Sequence, residues 1–164
     1  MKFANAWGYL SVDVFMNPLP APDERHVALQ RSVLIEASVA EVYARWDRLE
    51  ELPQFMEGVR EIAWLDARRF SLKSEHEGQY FLSICEIALR IPERRIAWRT
   101  LEGPDSSGVA CFQNAGGGRT EVTLKMRYNP ADGWQNTELV EARLQRNLER
   151  FKALVEGTRP FAQR

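Results

Sequence analysis

An α+β domain, an antiparallel meander closed by one long C-terminal helix, is predicted by three patterns in this sequence. The stretch from Val59 to Tyr128 reads as six consecutive strands, at about 59–66, 68–75, 79–90, 94–102, 108–114 and 119–128. The last of them, Thr120 to Tyr128, alternates cleanly in polarity, and a period of two marks a strand with one face on a core. After a short Asn129-Pro130-Ala131-Asp132-Gly133 turn, Val140, Leu144, Asn147, Phe151 and Leu154 recur at intervals of four, three, four and three. With Leu148 and Val155 flanking, that spacing predicts an amphipathic helix from about Thr137 to Glu156, facing the sheet and ended by Gly157.

Taken in order, residues 1–25 form an N-terminal extension. Trp7, Tyr9, Leu10, Val12, Val14, Phe15 and Met16 make it apolar, and Pro18, Pro20 and Pro22 punctuate a linker. So much apolar surface is expected to pack on the domain or on a partner subunit. The domain proper, residues 26–164, begins near His26. Val27, Leu29, Val33 and Ile35 share a parity with Arg31, which predicts a first strand with one imperfect face. Ser38-Val39-Ala40-Glu41 reads as a capping box, in which the Ser38 hydroxyl accepts the N3 backbone N–H and Glu41 reaches back. Val39, Val42, Tyr43 and Trp46 supply the apolar face of the helix that follows. Pro53 disfavours helical geometry at Leu52, so a kink or a second short helix is expected through Phe55 and Met56. Turn residues at Glu77-Gly78, Ile91-Pro92-Glu93, Gly103-Pro104-Asp105-Ser106 and Gly116-Gly117-Gly118 separate the later strands. Six strands without a long crossover must pair antiparallel.

Composition removes several classes of function. At 164 residues the chain fits one domain with a real core. A formal charge of −1 and dispersed arginines carry no nucleic-acid footprint. Cys85 and Cys111 form no CxxC pair, so neither a zinc site nor a disulfide framework is expected, and a reducing cytoplasm is the predicted compartment. No stretch reaches transmembrane length, and Asn5, Gly8 and Asp13 break the N-terminal apolar run. The GxSxG, HExxH and Walker patterns are missing, and Gly116–Gly118 reads as a hairpin turn rather than a phosphate cradle. His76 lies between Glu75 and Glu77 beside Gly78, which predicts a solvated hairpin tip and not a metal or acid–base site. Asp47, Glu50 and Glu51 read as a wet helix surface. No metal and no cofactor are expected.

What remains points to an interior cavity. Asn147 interrupts the inner stripe of the last helix; its amide either satisfies a nearby backbone group or meets a ligand oxygen, and both readings stay open. Tyr128 and Thr100 are candidate further polar contacts. Phe55, Trp98, Phe112 and Phe151, with Phe70, are candidate walls, and Met56 and Met126 add adaptable apolar surface. The parity of the 79–90 strand is ambiguous, which leaves Cys85 and Glu86 unassigned.

Residues 27–157 resemble the START-like helix-grip (SRPBCC) superfamily, in its polyketide cyclase/dehydrase branch. The resemblance is carried by Ser32-Val33-Leu34-Ile35-Glu36-Ala37-Ser38 into Glu41-Val42-Tyr43, by Leu52-Pro53-Gln54-Phe55-Met56, and by Ile91 to Arg99. Gly117-Gly118-Arg119-Thr120-Glu121-Val122 and the terminal Asn147 to Glu156 complete it. It implies a curved antiparallel sheet gripping the long helix, two short helices after the first strand, and a hydrophobic cavity between sheet and helix. Members of that group bind lipids, quinones or aromatic polyketides, and its aromatase/cyclases guide ring closure and dehydration. Those enzymes resemble this chain around Ser71-Leu72-Lys73-Ser74 but carry a pocket arginine just after it, where Glu75 stands here. Arg69 and Arg99 are the nearest substitutes, and alternation fixes neither one inward.

The expectation is therefore binding of a small hydrophobic or aromatic molecule, with cyclisation or dehydration of an aromatic polyketide as the enzymatic form. Two alternatives are a non-catalytic quinone or lipid carrier and a ligand-free interaction module in which residues 1–25 form a homodimer.

Overall fold

The computed structural model describes residues 25–132 and 136–157, so the expectations for residues 1–24 and for the residues beyond Gly157 lie outside the described residues. Seven strands form one antiparallel sheet: β1 (Val27–Ile35), β2 (Val59–Trp64), β3 (Arg69–His76), β4 (Gln79–Ile91), β5 (Arg95–Glu102), β6 (Ser106–Gly116) and β7 (Arg119–Tyr128). Their spatial order is β1-β7-β6-β5-β4-β3-β2. The last six make the expected meander. β1 joins its far edge, pairing from Val27 with Tyr128 to Ile35 with Thr120.

Consecutive strands β1 and β2 thus sit at opposite edges, and the chain between them crosses one face of the sheet. That crossing holds helix α1 (Val39–Asp47) and a 3-10 turn, Leu49–Gln54. The Ser38 hydroxyl caps α1 by accepting the Glu41 N–H at 3.3 Å. Val42, Tyr43 and Trp46 are its buried face. Pro53 lies inside the 3-10 turn, which ends at Phe55 with the Phe55 and Met56 amides both donating to the Leu52 carbonyl. The second short helix is therefore a 3-10 turn that stops short of Phe55.

The β3–β4 turn is as tight as a hairpin permits. His76 pairs with Gln79, and Glu77 and Gly78 both have positive φ, 50° and 80°, as a two-residue primed turn requires. Register shifts in β4 at Ile84/Cys85 and Ile87/Leu89 bend the longest strand. Gly117 and Gly118 join β6 to β7 with no helix behind them, as expected for a hairpin.

Helix α2 (Thr137–Gly157) lies across the same face as α1 and buries Val140, Leu144, Asn147, Leu148, Phe151 and Val155. Its C-terminal half packs on a cluster of rings. Trp46 stands edge-on to Phe151 with centroids 4.9 Å apart, and Phe55 lies 4.9 Å from Phe151. Phe112 joins from the sheet, 5.4 Å from Tyr43 and 6.1 Å from Trp46. Among the described residues, no helix is long and apolar enough to cross a membrane.

Candidate ligand cavity

Beneath the N-terminal half of α2 the packing opens into a cavity of about 140 Å³. Strand alternation determines which side chains reach it. On β3 these are Phe70, Leu72, Ser74 and His76; on β4, Ser83, Cys85 and Ile87; on β5, Ile96, Trp98 and Thr100. β7 adds Leu124 and Met126. The crossing segment contributes Trp46, Leu49, Leu52, Met56 and Glu57, and α2 contributes Val140, Arg143, Leu144 and Asn147. Glu86 is now assigned to the outer face, where Arg99 binds it at 2.5 Å.

The lining is graded. Ile87, Ile96, Leu124 and Phe70 make an apolar end, while Ser74, His76 and Ser83 gather toward the β3–β4 hairpin. Thr100, paired with Cys85, has its hydroxyl 3.1 Å from that of Ser106.

Gly108 shapes the floor. It pairs with Trp98 on one side and Met126 on the other, and a Cβ there would fall 2.2 Å from the indole ring. The indole lies flat against the sheet because position 108 has no side chain.

The charged end is built from three elements. His76 is only 6% exposed, and Arg143 Nη1–H donates to its Nδ1 at 2.5 Å. An arginine cannot accept, so this imidazole is neutral with its proton on Nε2. Burial first, and then the Arg143 charge, pull His76 down to about 4, against a smaller opposing effect of Glu75. Arg143 Nε lies 3.7 Å from Glu57 Oε1, and Arg146 reaches Glu57 Oε2 at 3.2 Å. Asn147 Oδ1 accepts the Glu57 backbone N–H at 3.0 Å, which orients the amide and turns its NH2 group to the remaining space. Gly58, at φ 89°, lets this segment pass: a Cβ would come within 2.8 Å of the Glu75 carbonyl and 3.1 Å of the His76 ring. The Cys85 thiol is pushed up to about 11 by burial, so it carries no thiolate at neutral pH.

Of the ten residues singled out from sequence, Met56, Phe70, Trp98, Thr100, Met126 and Asn147 line the cavity. Phe55, Phe112 and Phe151 stand instead in the ring cluster, because the same helix face that covers the cavity closes onto α1 two turns later. Tyr128 is fully buried at the β1–β7–β6 junction, outside the lining. For Asn147 the backbone reading holds for its oxygen.

One expectation is corrected and one open point is closed. His76 is not on a solvated tip, since the two-residue turn leaves it in the last ladder pair and on the parity of Phe70 and Leu72. Neither Arg69 nor Arg99 supplies a cation inside: Arg69 binds Asp66 at 2.7 Å, and Arg99 binds Glu86. Glu75 faces outward too, paired with Arg60. The cation in the lining is Arg143, three residues after Val140 on the inner stripe, and that spacing was the signal available for it. Among the described residues, no three His, Cys, Asp or Glu side chains group as a metal site requires.

The family model described as polyketide cyclase/dehydrase and lipid transport matches residues 26–156. A 17.2 kDa protein from the melC2-rnhH intergenic region of Streptomyces lincolnensis is 28% identical over 133 residues, spanning 78% of this chain and 89% of that one. Among solved structures, a START superfamily protein from Mycobacterium smegmatis superposes with a TM-score of 0.70 at 15% identity, covering 80% of this chain and 98% of its own. The ZhuI aromatase/cyclase from Streptomyces sp. R1128 gives 0.65 at 17%, covering 84% and 98%. At those identities the two structures bear on the fold alone, and the fold they share is the helix grip.

Proposed function

The chain belongs to the polyketide cyclase/dehydrase and lipid transport family, and from that premise we propose that it takes a small hydrophobic or aromatic molecule into the cavity beneath α2. One observation carries the reading: the apolar space ends in a cation, Arg143, whose guanidinium is held by a neutral His76. Apolar walls supply affinity and a few placed polar groups fix orientation, as in most small-molecule sites.

In the enzymatic form, the cavity folds a polyketide-like chain so that its reacting carbons meet, and Arg143 stabilises the negative charge that develops on a carbonyl oxygen during ring closure or dehydration. Positioning is then the chief contribution. A second reading, a non-catalytic carrier, is favoured by the scarcity of proton-transfer groups. His76 stays neutral at physiological pH and Cys85 stays protonated, so neither acts there as an acid or a nucleophile.

Native mass spectrometry of protein purified from its own host, followed by denaturation, tests the common part. A stoichiometric apolar or aromatic compound is expected. A protein that arrives empty and also binds no member of a quinone and polyketide panel would end both readings. Adding the protein to a matching polyketide synthase separates them, since a carrier leaves the product distribution unchanged.

A further inference from the structure

The charged end of the cavity has a surplus. Arg143 and Arg146 form their recorded ion pairs with a single carboxylate, that of Glu57, so two guanidiniums share one negative charge. Arg143 itself is poorly satisfied. Of its five N–H donors, the described residues engage one, through His76, and its Nε is buried with no hydrogen-bond partner. Glu57 Oε1, at 3.7 Å from that Nε, is too far for a hydrogen bond. A guanidinium N–H that is buried and unpartnered, as at Arg143 Nε, is costly unless an acceptor, preferably an anion, meets it. Asn147 sits one turn further along α2 with its oxygen already used, so what it presents is also a donor. The hydroxyls of Thr100 and Ser106, by contrast, bind each other. Arg143 and the Asn147 amide therefore bring donors to this end, where the one carboxylate in the lining, Glu57, is shared between two arginines.

Volume bounds the other half of the ligand. A cavity of about 150 Å³ lined by aliphatic and aromatic side chains holds one benzene ring. The space here, about 140 Å³, is of that size. A fused polycycle is larger than that space, and the Trp98 indole already rests on Gly108.

We infer that the ligand is an amphipathic acid of single-ring size, its carboxylate held by Arg143 and the Asn147 amide and its ring lying against Trp98. The inference rests on the reading that the cavity binds a small molecule, and it specifies the chemical class. A charge-assisted pair at a guanidinium is worth more than a neutral hydrogen bond, so the acid outcompetes its own amide.

The test is calorimetric titration of the full chain at neutral pH with para-toluate, para-toluamide and an anthracene carboxylate. Para-toluate is expected to bind at least about tenfold more tightly than para-toluamide. That preference should disappear in Arg143→Gln while toluamide binding persists. Equal affinity for acid and amide overturns the anionic head but leaves the cavity reading intact. Tight binding of the tricyclic acid overturns the size limit. If none of the three binds, the inference falls, and the cavity reading is decided by native mass spectrometry and the quinone and polyketide panel. The acid–amide comparison on the unmodified protein decides the matter even if Arg143→Gln does not fold.

Discussion

The two halves of α2 cover the same sheet and produce opposite interiors. Under its C-terminal half, Trp46, Phe55, Phe112 and Phe151 interlock with centroids 4.9 to 6.1 Å apart, and Phe55 and Phe151 are at most 1% exposed. Under its N-terminal half, a void of about 140 Å³ remains. Side-chain volume and polarity make most of the difference. At the closed end, rings from α1, the 3-10 turn, the sheet and α2 meet. At the open end the facing positions include Ser74, Ser83 and Thr100, whose side chains are too small to fill the space. The bulged β4 also curves the sheet away. One end supplies stability and the other leaves a cavity.

Truncation at the closed end breaks the contrast most severely. Phe151→Ala is expected to cost about 3–5 kcal/mol, the range for removing a ring from a packed core. Urea unfolding checks it, and a loss no larger than that of a surface mutant would mean the cluster is loosely packed.

Acid acts on the open end. The folded His76 value of about 4 lies below the ordinary 6.5, so between them the unfolded chain binds more protons than the folded one. Stability from excluding that proton is complete above pH 6.5 and is lost as pH falls toward 4. The loss is on the order of 3 kcal/mol. Comparing urea midpoints at neutral pH and at about pH 4 should show His76→Gln losing less than the unmodified protein. Equal losses would place the acid sensitivity elsewhere.

Gly108→Ala sharpens the contrast from the floor of the cavity. The new methyl must displace the Trp98 ring, which predicts a cost of about 1–3 kcal/mol and a shifted tryptophan emission. It should also reduce the affinity of any ligand lying on Trp98. Unchanged emission would mean the indole does not rest on Gly108.

The smallest effect is expected from Met126→Ala. Its side chain already faces space on one side and makes fewer contacts than a packed methionine, so its loss should cost about 1 kcal/mol. A cost equal to that of Phe151→Ala would erase the distinction between the two ends.

Much of this architecture was readable in advance because its signals are local. The period of two in β7, the Ser38 cap and the four-three spacing of α2 each concern neighbours along the chain. Six cavity residues came from such local signals, since parity and helical phase say which face is inner. Those signals do not say what lies opposite. Phe55, Phe112 and Phe151 carry the same inward signature as Trp98, and only the position of α1 across the sheet separates ring cluster from cavity. His76 was misread because a tip residue and the last ladder residue are neighbours in sequence, and a two-residue turn divides them.

By itself, then, the sequence determined the order of strands and helices and their inward faces, because alternation and helical phase are written within a few residues. The tertiary structure decided where those faces close and where they leave room. It also decided that a cation would stand in that room. Arg143 and His76 lie 67 residues apart, on elements whose patterns never mention each other, and they meet only because α2 folds back over the β3–β4 hairpin. Their pairing is a fact of distance in space, and no local periodicity encodes it.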